Sequence, residues 1–409
     1  MIIPSIDLMD GEAVQLVEGE ELEISAGDPH PILEQFRIAG EVAVIDLDAA
    51  MGNGDNAGLV QQLVNNAACR VGGGIRSVET ARRWLDAGAE KIILGTAAEK
   101  AILEELPRER VIAALDAREG EVVVEGWTTP TGESIEERME RLRPYVGGFL
   151  VTFVEREGHQ DGTDLEHASE LKEAAGDRDL TVAGGITTPE EIAILDEQGI
   201  DAQVGMALYD ETLHLADGIA APLSSDRNDD LWPTVVADER GTALGLAYSD
   251  IESLRTAIDE QRGIYHSRSR GLWRKGETSG ATQELLEAVP DCDRDTLRFS
   301  VRQRPPGFCH EETRTCWGEH FDVGSLESVL RSRADERPEN SYTSELLDDS
   351  SLLDEKLREE INELIEATEE GDIQHEAADL LYFLLVRLVA DDISFADIER
   401  ELASRAIED

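Results

Sequence analysis

Two glycine-rich stretches, 71–77 and 182–188, decide the fold; they read Val-Gly-Gly-Gly-Ile-Arg-Ser and Val-Ala-Gly-Gly-Ile-Thr-Thr. They are about 110 residues apart, which indicates a long internal repeat. Two further pairs repeat at nearly the same offset: Leu-Gly-Thr-Ala (94–97) with Val-Gly-Met-Ala (204–207), and Ile-Asp-Leu-Met-Asp-Gly-Glu-Ala-Val (6–14) with Leu-Asp-Ala-Arg-Glu-Gly-Glu-Val-Val (115–123). Because three matches share nearly one offset, residues 1–220 are predicted to consist of two duplicated halves.

Short β-branched runs alternate with amphipathic stretches through both halves. Eight of these runs are predicted to be strands, and each is followed by helix-like sequence: 2–6, 42–47, 69–71, 91–94, 111–115, 148–152, 180–183 and 202–204. Eight strands that alternate with helices predict a (β/α)8 TIM barrel close to the smallest usual size.

The pattern changes after the barrel. Residues 221–230 lack periodicity and are predicted to be a linker. Strand and turn signals over 231–322 predict a small α+β domain, and helical spacing predicts that 325–409 is an all-α domain. Within the last region the apolar run 380–386 is too short to span a membrane and predicts a buried helix of a bundle. The chain is therefore predicted to be multidomain.

The composition excludes several classes of protein. A net charge of −52 opposes contact with a phosphate backbone, so we expect no nucleic-acid partner. No apolar run reaches the ~18 residues of a membrane span, and the first residues read as a strand rather than a signal peptide, so we expect a cytoplasmic enzyme. Only five of the 37 basic residues are lysine. An acidic composition with so few lysines is typical of a halophilic protein adapted to high internal salt. The alternative is an acidic mesophilic protein.

Asp7 and Asp116 are the predicted catalytic pair of the barrel. They end the first and fifth predicted strands, which lie opposite each other, and barrel active sites lie at the carboxyl ends of strands. Such a pair suits one general base and one general acid; the alternative is two capping aspartates. Glycines after the third, fourth, seventh and eighth strands predict two symmetric phosphate sites, because backbone N–H groups approach an anion closely there. The predicted phosphate-binding residues are Gly73, Gly74, Gly95, Thr96, Gly184, Gly185 and Gly205.

The middle domain contains two predicted metal sites. Asp291, Asp293 and Asp295 alternate along the chain, and in an extended strand they would share one face suited to Mg²⁺. Cys292 would face the other way and, with Cys309 and Cys316, bind Zn²⁺ with one position open for water. His310 would relay protons or bind the metal. The alternative is a buried free cysteine beside a solvated acidic strand.

A basic stretch over 266–280 stands out in this acidic chain and predicts an anionic ligand. Its turn-forming glycines and hydroxyl side chains suit a phosphate, and its tryptophan suits stacking on a base. The alternative is a basic loop with a purely structural role. The predicted substrate-binding residues are Arg268, Trp273, Lys275, Thr278 and Ser279.

Acidic residues recur at helical spacing in the C-terminal domain. Glu359, Glu360 and Glu363 lie within one turn of each other, and Glu376 and Asp379 repeat this spacing on the next predicted helix. Adjacent antiparallel helices would gather these carboxylates, which would repel one another unless a cation such as Mg²⁺ neutralised them. The alternative is that such pairs arise by chance in so acidic a chain.

Residues 1–220 resemble the ribonucleotide isomerase of histidine biosynthesis that acts on the bis-phosphate ribotide ProFAR. The matching motifs are MIIPSIDLMDG, VIDLDAA, VGGGIRS, ILGTAA and VAGGIT. The resemblance implies an Amadori rearrangement with Asp7 as the base, Asp116 as the acid and Thr152 nearby. Gln15 stands where the family usually has arginine, and the loop 154–163 is longer than usual.

Residues 231–322 resemble phosphoribosyl-AMP cyclohydrolase, on the motifs SRSRGLWRKGETSG, DCDRD and GFCHEETRTC. This implies attack of zinc-bound hydroxide on the adenine ring, and dimers with zinc at the interface. Residues 325–409 resemble phosphoribosyl-ATP pyrophosphohydrolase, on SYTSELL, KLREEINELIEA and HEAADLLYFLLV. This implies Mg²⁺-dependent release of pyrophosphate in a MazG-like helical dimer. We therefore expect a homodimer acting on phosphoribosyl nucleotides.

The three resemblances are to consecutive steps of one pathway, which predicts a trifunctional enzyme of histidine biosynthesis. Gln15 motivates one alternative, a bifunctional enzyme whose inert barrel serves as a scaffold. A second alternative, from another class, is a metal-buffering or nucleotide-binding regulator. Assays on the three substrates distinguish these hypotheses.

Overall fold

The computed structural model of the chain describes residues 1–17, 21–118, 121–124, 129–159, 162–318 and 321–406. It divides into two compact units, Met1–Phe308 and Cys309–Asp409. None of the helices in the described ranges combines the length and hydropathy that a bilayer span requires.

The first unit begins with a barrel and its covering helices. Its strands are β1 Ile2–Met9, β2 Glu12–Val17, β3 Glu21–Gly27, β4 Val42–Asp46, β5 Cys69–Gly72, β6 Lys91–Leu94, β7 Val111–Arg118, β8 Glu121–Val124, β9 Thr129–Ser134, β10 Gly148–Phe153, β11 Asp179–Ala183 and β12 Ile200–Val204. Its helices are α1 Pro29–Phe36, α2 Leu47–Met51, α3 Ala57–Val64, α4 Val78–Asp86, α5 Lys100–Leu103, α6 Ile135–Leu142, α7 Leu165–Ala175, α8 Pro189–Glu197, α9 Met206–Tyr209 and α10 Leu215–Ala220.

Eight of these strands close into a parallel ring in the order β1, β4, β5, β6, β7, β10, β11 and β12, with β12 paired back to β1. The predicted TIM barrel is confirmed. Inside the ring Ile93, Ile112, Leu150 and Ala183 form a small separate core, and the outer faces of the strands pack on the helices. Such a barrel is filled by side chains, so its chemistry lies at the rim.

The duplication is visible at that rim. The first strand of each half runs on beyond the ring into antiparallel pairing, β1 with β2 and β7 with β8. This explains why both strands exceed their predicted ends: hairpin hydrogen bonds continue them after the parallel neighbours stop. Equivalent positions in the two halves therefore carry equivalent extensions.

A small α+β domain follows the barrel in the same unit, which agrees with the fold predicted for this region. It contains β13 Trp232–Ala237, β14 Ala243–Ser249, α11 Ile251–Glu260, β15 Ile264–Ser267, β16 Gly271–Arg274, β17 Gln283–Pro290 and β18 Leu297–Gln303. Four strands form one sheet in the order β14, β13, β18, β17, and β15 pairs with β16. The intervening residues 221–230, all described, contain turns but neither helix nor strand.

The barrel and the small domain share one hydrophobic core. A single cluster of buried side chains includes Ile219 of α10 and Ala288 of β17. Ion pairs reinforce the contact, since Arg255 of α11 donates to both carboxylate oxygens of Asp217 on α10, at 2.7 and 2.8 Å from Nη2. Because burial of this kind is continuous, the barrel and the small domain are held as one body.

The second unit is helical, as predicted, with α12 Val323–Glu336, α13 Tyr342–Asp348, α14 Ser350–Glu366, α15 Glu370–Ala390 and α16 Phe395–Ala406. Its core includes Leu330, Leu346, Leu353 and Leu385. The run 380–386 was predicted to form a buried helix of the bundle. Phe383, Leu385 and Val386 are buried as predicted, but Leu384 is 37% exposed, because one face of α15 is not covered by this core.

Candidate functional sites

The mouth of the barrel brings together the predicted catalytic carboxylates. Asp7 lies on β1 and Asp116 on β7, which are opposite each other in the ring. The Ser5 hydroxyl donates to Asp7 at 3.0 Å and the Gln15 amide donates to it at 3.4 Å. Although Asp7 keeps some accessible surface, desolvation outweighs these hydrogen bonds and raises its pKa to about 6. Thr152 of β10 is the register partner of Asp116.

Glu157 is a third carboxylate at this mouth, and it was not among the predicted site residues. It follows the short 3₁₀ helix Val154–Arg156 after β10. Desolvation, and then the negative charges of Asp7 and Asp116, raise the pKa of Glu157 to about 8. The available signal was an acidic residue in an unusually long loop at the carboxyl end of a barrel strand. Residues 160–161 of that loop lie outside the described part.

The glycine pairs of the repeat have a packing role of their own. A Cβ on Gly73, whose φ is +93°, would overlap the backbone of Asp46 at the end of β4. In the second half a Cβ on Gly184, φ +98°, would lie 2.7 Å from the carbonyl oxygen of Phe153 at the end of β10. Each glycine thus admits the backbone of the neighbouring strand end.

The other predicted phosphate-binding residues have more varied surroundings. A Cβ on Gly74 would overlap Ala49 of α2 and one on Gly185 would overlap the carbonyl group of Gly162, while space is open around Gly95. Thr96 follows Gly95 at the end of β6. At Gly205 a Cβ would collide with the amide oxygen of buried Gln15. Phosphate binding by these residues stays a prediction, because packing alone requires most of the glycines.

Asp291, Asp293 and Asp295 do not lie on an extended strand, and that expectation was wrong. β17 ends at Pro290 and β18 begins at Leu297, so residues 291–296, here called the acidic turn, connect the two strands. Asp291 closes this turn because its carboxylate accepts from the backbone N–H groups of Asp295, at 3.1 Å, and Thr296, at 3.2 Å.

The acidic turn gathers its carboxylates all the same. Oxygen atoms of Asp291, Asp293 and Asp295 lie within 4.8 Å of one another. The charges of Asp291 and Asp295 raise the pKa of Asp293 above its usual range. A hard cation would relieve this repulsion and prefers carboxylate oxygens, so the donor set fits Mg²⁺.

The cysteines divide between the two units. Cys292 is exposed in the acidic turn, which contradicts the alternative of a buried free cysteine there; the buried cysteine is Cys69. In the second unit, hydrogen bonds from the Glu311 N–H, then from the side chains of Thr313 and Cys316, lower the pKa of Cys309. His310 Nδ1 lies 3.7 Å from Cys309 Sγ. A stabilised thiolate suits Zn²⁺, and the three-cysteine set stays a prediction.

The basic stretch forms the β15–β16 hairpin and the turn after it. Arg268 lies over the Tyr248 ring at 4.9 Å, and Trp273 packs against Tyr265 with ring centroids 5.8 Å apart. Lys275 is buried, donates to the Ala281 carbonyl at 3.3 Å, and is therefore partly committed to the fold. Thr278 and Ser279 are exposed at the tip of the turn, where an anion has access.

Two helices of the second unit bring acidic residues together. Glu360 and Glu363 of α14 and Glu376 of α15 place carboxylate oxygens within 4.8 Å of one another. Burial and then the charge of Asp379 raise the pKa of Glu360, and burial and then Glu363 raise that of Glu376. Crowded carboxylates of this kind fit Mg²⁺.

The two remaining predicted ligands lie at the margin of this cluster. Glu359 instead accepts from Lys356 at 2.6 Å, one turn earlier on α14. Asp379 pairs with His375 at 3.4 Å while its charge still acts on Glu360. The structure thus separates a central trio from two flanking carboxylates.

The fold and its sites define a multidomain chain, a TIM barrel followed by two domains that each contain a cluster of carboxylates. Residues 1–214 match the family model described as histidine biosynthesis protein. Residues 245–318 match that for phosphoribosyl-AMP cyclohydrolase, and 323–406 that for phosphoribosyl-ATP pyrophosphohydrolase. The chain belongs to the histidine biosynthesis protein family, and the three matches confirm the predicted resemblances in their predicted order.

Three relatives illustrate the similarity. The histidine biosynthesis trifunctional protein of Saccharomyces cerevisiae is 38% identical over 290 residues, 70% of this chain and 35% of its own length. That of Neurospora crassa is 36% identical over 339 residues, covering 81% and 36%. The 1-(5-phosphoribosyl)-5-((5-phosphoribosylamino)methylideneamino) imidazole-4-carboxamide isomerase of Halobacterium salinarum is 37% identical over 233 residues, 54% of this chain and 96% of its own length. The chain spans about a third of the trifunctional relatives.

Proposed function

We propose that the chain catalyses three consecutive steps of histidine biosynthesis. The C-terminal domain hydrolyses phosphoribosyl-ATP to phosphoribosyl-AMP and pyrophosphate, the small domain opens the adenine ring to give ProFAR, and the barrel isomerises ProFAR. The observation that carries the proposal is that each of the three matched regions gathers a trio of carboxylates, at the barrel mouth, in the acidic turn and between α14 and α15.

In the barrel, Asp7 and Glu157 suit opposite roles in an Amadori rearrangement. With a pKa of about 8, Glu157 keeps its proton at neutral pH and can donate it to the ring oxygen of the aminoaldose, which opens the sugar. With a pKa of about 6, Asp7 is ionised at neutral pH and can remove the proton from the sugar carbon next to the anomeric carbon. Asp116 is the alternative acid; if it is ionised instead, its charge helps to keep Glu157 protonated.

In the small domain, this chain's own residues would bind and orient phosphoribosyl-AMP. Trp273 offers a face to the base, and exposed Thr278 and Ser279 offer hydroxyl groups to the phosphate. Cys292, Cys309 and Cys316 would hold Zn²⁺, and the acidic turn would hold Mg²⁺ through Asp291, Asp293 and Asp295. Bound Zn²⁺ supplies a hydroxide nucleophile at neutral pH. His310, beside Cys309, is placed to move a proton.

In the C-terminal domain, Glu360, Glu363 and Glu376 would hold Mg²⁺, with Glu359 and Asp379 beside them. Bound Mg²⁺ neutralises the negative charge of a triphosphate during hydrolysis. The protein's part is to present this trio from two packed helices, so that the carboxylates are fixed before the substrate arrives.

The test is to supply phosphoribosyl-ATP to the purified chain and to identify where the reaction stops. We expect the wild type to yield the isomerised ribotide. Glu360→Gln should leave phosphoribosyl-ATP, Cys316→Ser should accumulate phosphoribosyl-AMP, and Asp7→Asn should accumulate ProFAR. A wild-type chain that leaves phosphoribosyl-ATP or phosphoribosyl-AMP unchanged would sink the corresponding assignment.

A bifunctional enzyme with an inert barrel is the second candidate, and Gln15 favours it. Its side chain is buried, donates to Asp7 and fills the space beside Gly205 where we expect a phosphate. Accumulation of ProFAR by the wild type would support this candidate, and rapid isomerisation would eliminate it. A Gln15→Arg variant tests whether this residue is the cause.

We also propose a cytoplasmic, halophilic homodimer. The charge of −52 with five lysines supports adaptation to salt. Apolar side chains exposed on the helical unit, including Ile361 and Ile365, at 44% and 75%, support pairing with a second copy. Sedimentation of the chain in concentrated KCl tests both properties, and a monomer under those conditions would contradict the dimer.

A further inference from the structure

One ion pair joins the barrel directly to the acidic turn. Arg294 lies within this turn, and its guanidinium donates to both carboxylate oxygens of Asp196 on α8, from Nε at 2.8 Å and from Nη2 at 2.9 Å. The Asp196 side chain is only 7% exposed, and that of Arg294 is 27% exposed. A bidentate pair with so little solvent is a strong and directional contact.

The backbone of Arg294 is also held. Its φ is +61°, a left-handed conformation that costs a residue with a Cβ free energy and that persists only where surrounding contacts enforce it. Its carbonyl oxygen accepts from the N–H of Ser224 at 2.8 Å, in the segment that follows the barrel. A third guanidinium nitrogen, Nη1, donates to the carbonyl of Asp291 in the same turn. Arg294 thus ties the first residue of the turn to the barrel.

The position of Asp196 supports the same conclusion from the barrel side. It lies in the last turn of α8, at the negative end of the helix dipole, where a carboxylate is unfavourable unless a cation compensates it. Burial raises its pKa, but the hydrogen bonds and charges of Arg294 and of the Met1 amino group together outweigh this and keep the pKa below its usual range. Asp196 is therefore an anion that is stabilised by these cations and not by its own helix.

We propose that Asp196 of the barrel is a positioning residue for the acidic turn of the small domain, acting through Arg294 to hold Asp291, Asp293 and Asp295 in a cation-binding arrangement. The inference rests on the proposed function of that turn as a Mg²⁺ site. Its consequence is that the barrel supports ring opening in the neighbouring domain whether or not it isomerises a substrate itself.

A matched ion pair provides the control. Asp217 of α10 and Arg255 of α11 form a second bidentate contact between the barrel and the small domain, on other elements than the acidic turn. Asp196→Asn and Asp217→Asn each remove one charge from a contact between the same two domains. The amino group of Met1 also lies 2.9 Å from Asp196, so Arg294→Gln is needed to isolate the Arg294 contact.

The experiment measures Mn²⁺ binding to the full chain by electron paramagnetic resonance, with the acidic-turn site defined as the binding lost in Asp293→Asn. Groups that orient metal ligands typically change affinity by about 10- to 100-fold, so we expect Asp196→Asn and Arg294→Gln each to weaken this site about 10-fold. The double variant should be no weaker than either single one, and Asp217→Asn should bind normally. Normal binding by Asp196→Asn, or additive losses in the double variant, would overturn the proposal.

Hydrogen exchange separates failure of this inference from failure of the proposed function. The N–H groups of Asp295 and Thr296, which close the turn, should exchange several-fold faster in Asp196→Asn than in Asp217→Asn without any metal. If the wild type binds no Mn²⁺ at the turn but the two variants still differ in exchange, the metal assignment fails and the positioning role stands. Equal exchange in the two variants would refute the positioning role.

Discussion

Replacing Glu157 by glutamine is expected to abolish isomerisation and to stabilise the chain at alkaline pH. Desolvation and the charges of Asp7 and Asp116 raise the pKa of Glu157 from 4.5 to about 8. An acid whose pKa is raised by folding destabilises the folded state wherever the unfolded chain has released the proton more readily than the folded chain does. This cost is absent below pH 4.5, grows between pH 4.5 and about 8, and is complete above about 8.

The size of the effect follows from the same values. At about 1.4 kcal/mol for each tenfold change in proton affinity, a rise from 4.5 to about 8 corresponds to at most about 5 kcal/mol at pH 9. Because Glu157 is partly exposed, solvent screens its charge, and we expect about 2 kcal/mol in practice. Glutamine is neutral and nearly isosteric with the protonated acid, so the gain should disappear at pH 5.

The assay is thermal unfolding of wild type and Glu157→Gln at pH 5, 7 and 9, with Glu170→Gln on the exposed face of α7 as the surface control. The apparent Tm of Glu157→Gln should exceed that of the wild type at pH 9 and equal it at pH 5. An equal shift at both pH values would refute the electrostatic reasoning, because a packing effect does not depend on ionisation.

The activity of the same variant completes the prediction. Between pH 6 and 8 Asp7 is ionised and Glu157 protonated, so kcat/KM for ProFAR should follow a bell with limbs near these values. Loss of a general acid costs about 100- to 10,000-fold, which we expect for Glu157→Gln across the whole range. A variant that isomerises ProFAR at the wild-type rate would show that Glu157 is not the acid.

Three further predictions concern packing, cation binding and salt. Gly73→Ala should destabilise the chain by about 2–4 kcal/mol, because its Cβ would overlap the Asp46 backbone at positive φ, whereas Gly11→Ala, with open space, should cost about 1 kcal/mol in denaturant titrations. Glu360→Gln should reduce Mg²⁺-dependent pyrophosphate release about 100-fold and Glu359→Gln less than about 10-fold, since Glu359 is paired with Lys356 outside the central trio; equal losses would contradict that trio. Lowering KCl from about 1 M to about 0.01 M lengthens the Debye length from about 3 to about 30 Å and should lower the Tm, as followed by circular dichroism; a constant Tm would contradict adaptation to salt.

The barrel was predictable because its signals are local and repeated. Strand and helix periods can be read in short windows, and the glycines of 71–77 and 182–188 mark the same rim position in each half. The small domain and the helical domain could be predicted because their characteristic motifs are short and continuous in the sequence. Asp7, Asp116 and the carboxylates of α14 and α15 could likewise be selected from their places at strand ends and on helix faces.

The acidic turn shows where this reasoning fails. Alternating residues on a strand and successive residues in a turn can gather the same carboxylates, and the sequence Asp-Cys-Asp-Arg-Asp is compatible with either. The strand was the wrong choice because the carboxylate of Asp291 accepts from two backbone N–H groups and closes a turn. The three carboxylates were predicted to lie close together, and they do. The predicted backbone, an extended strand, was wrong.

The sequence by itself determined the order of domains, the barrel and most candidate ligands, because each depends on spacing along a few residues or on a repeat. Only the tertiary structure decided the state of Glu157, whose pKa depends on two strands from opposite sides of the ring, and the partner of Arg294, which lies 98 residues away at Asp196. The interaction energy between two charges decreases with the distance between them in space. No local sequence pattern specifies which side chains, distant along the chain, come within a few ångströms of each other.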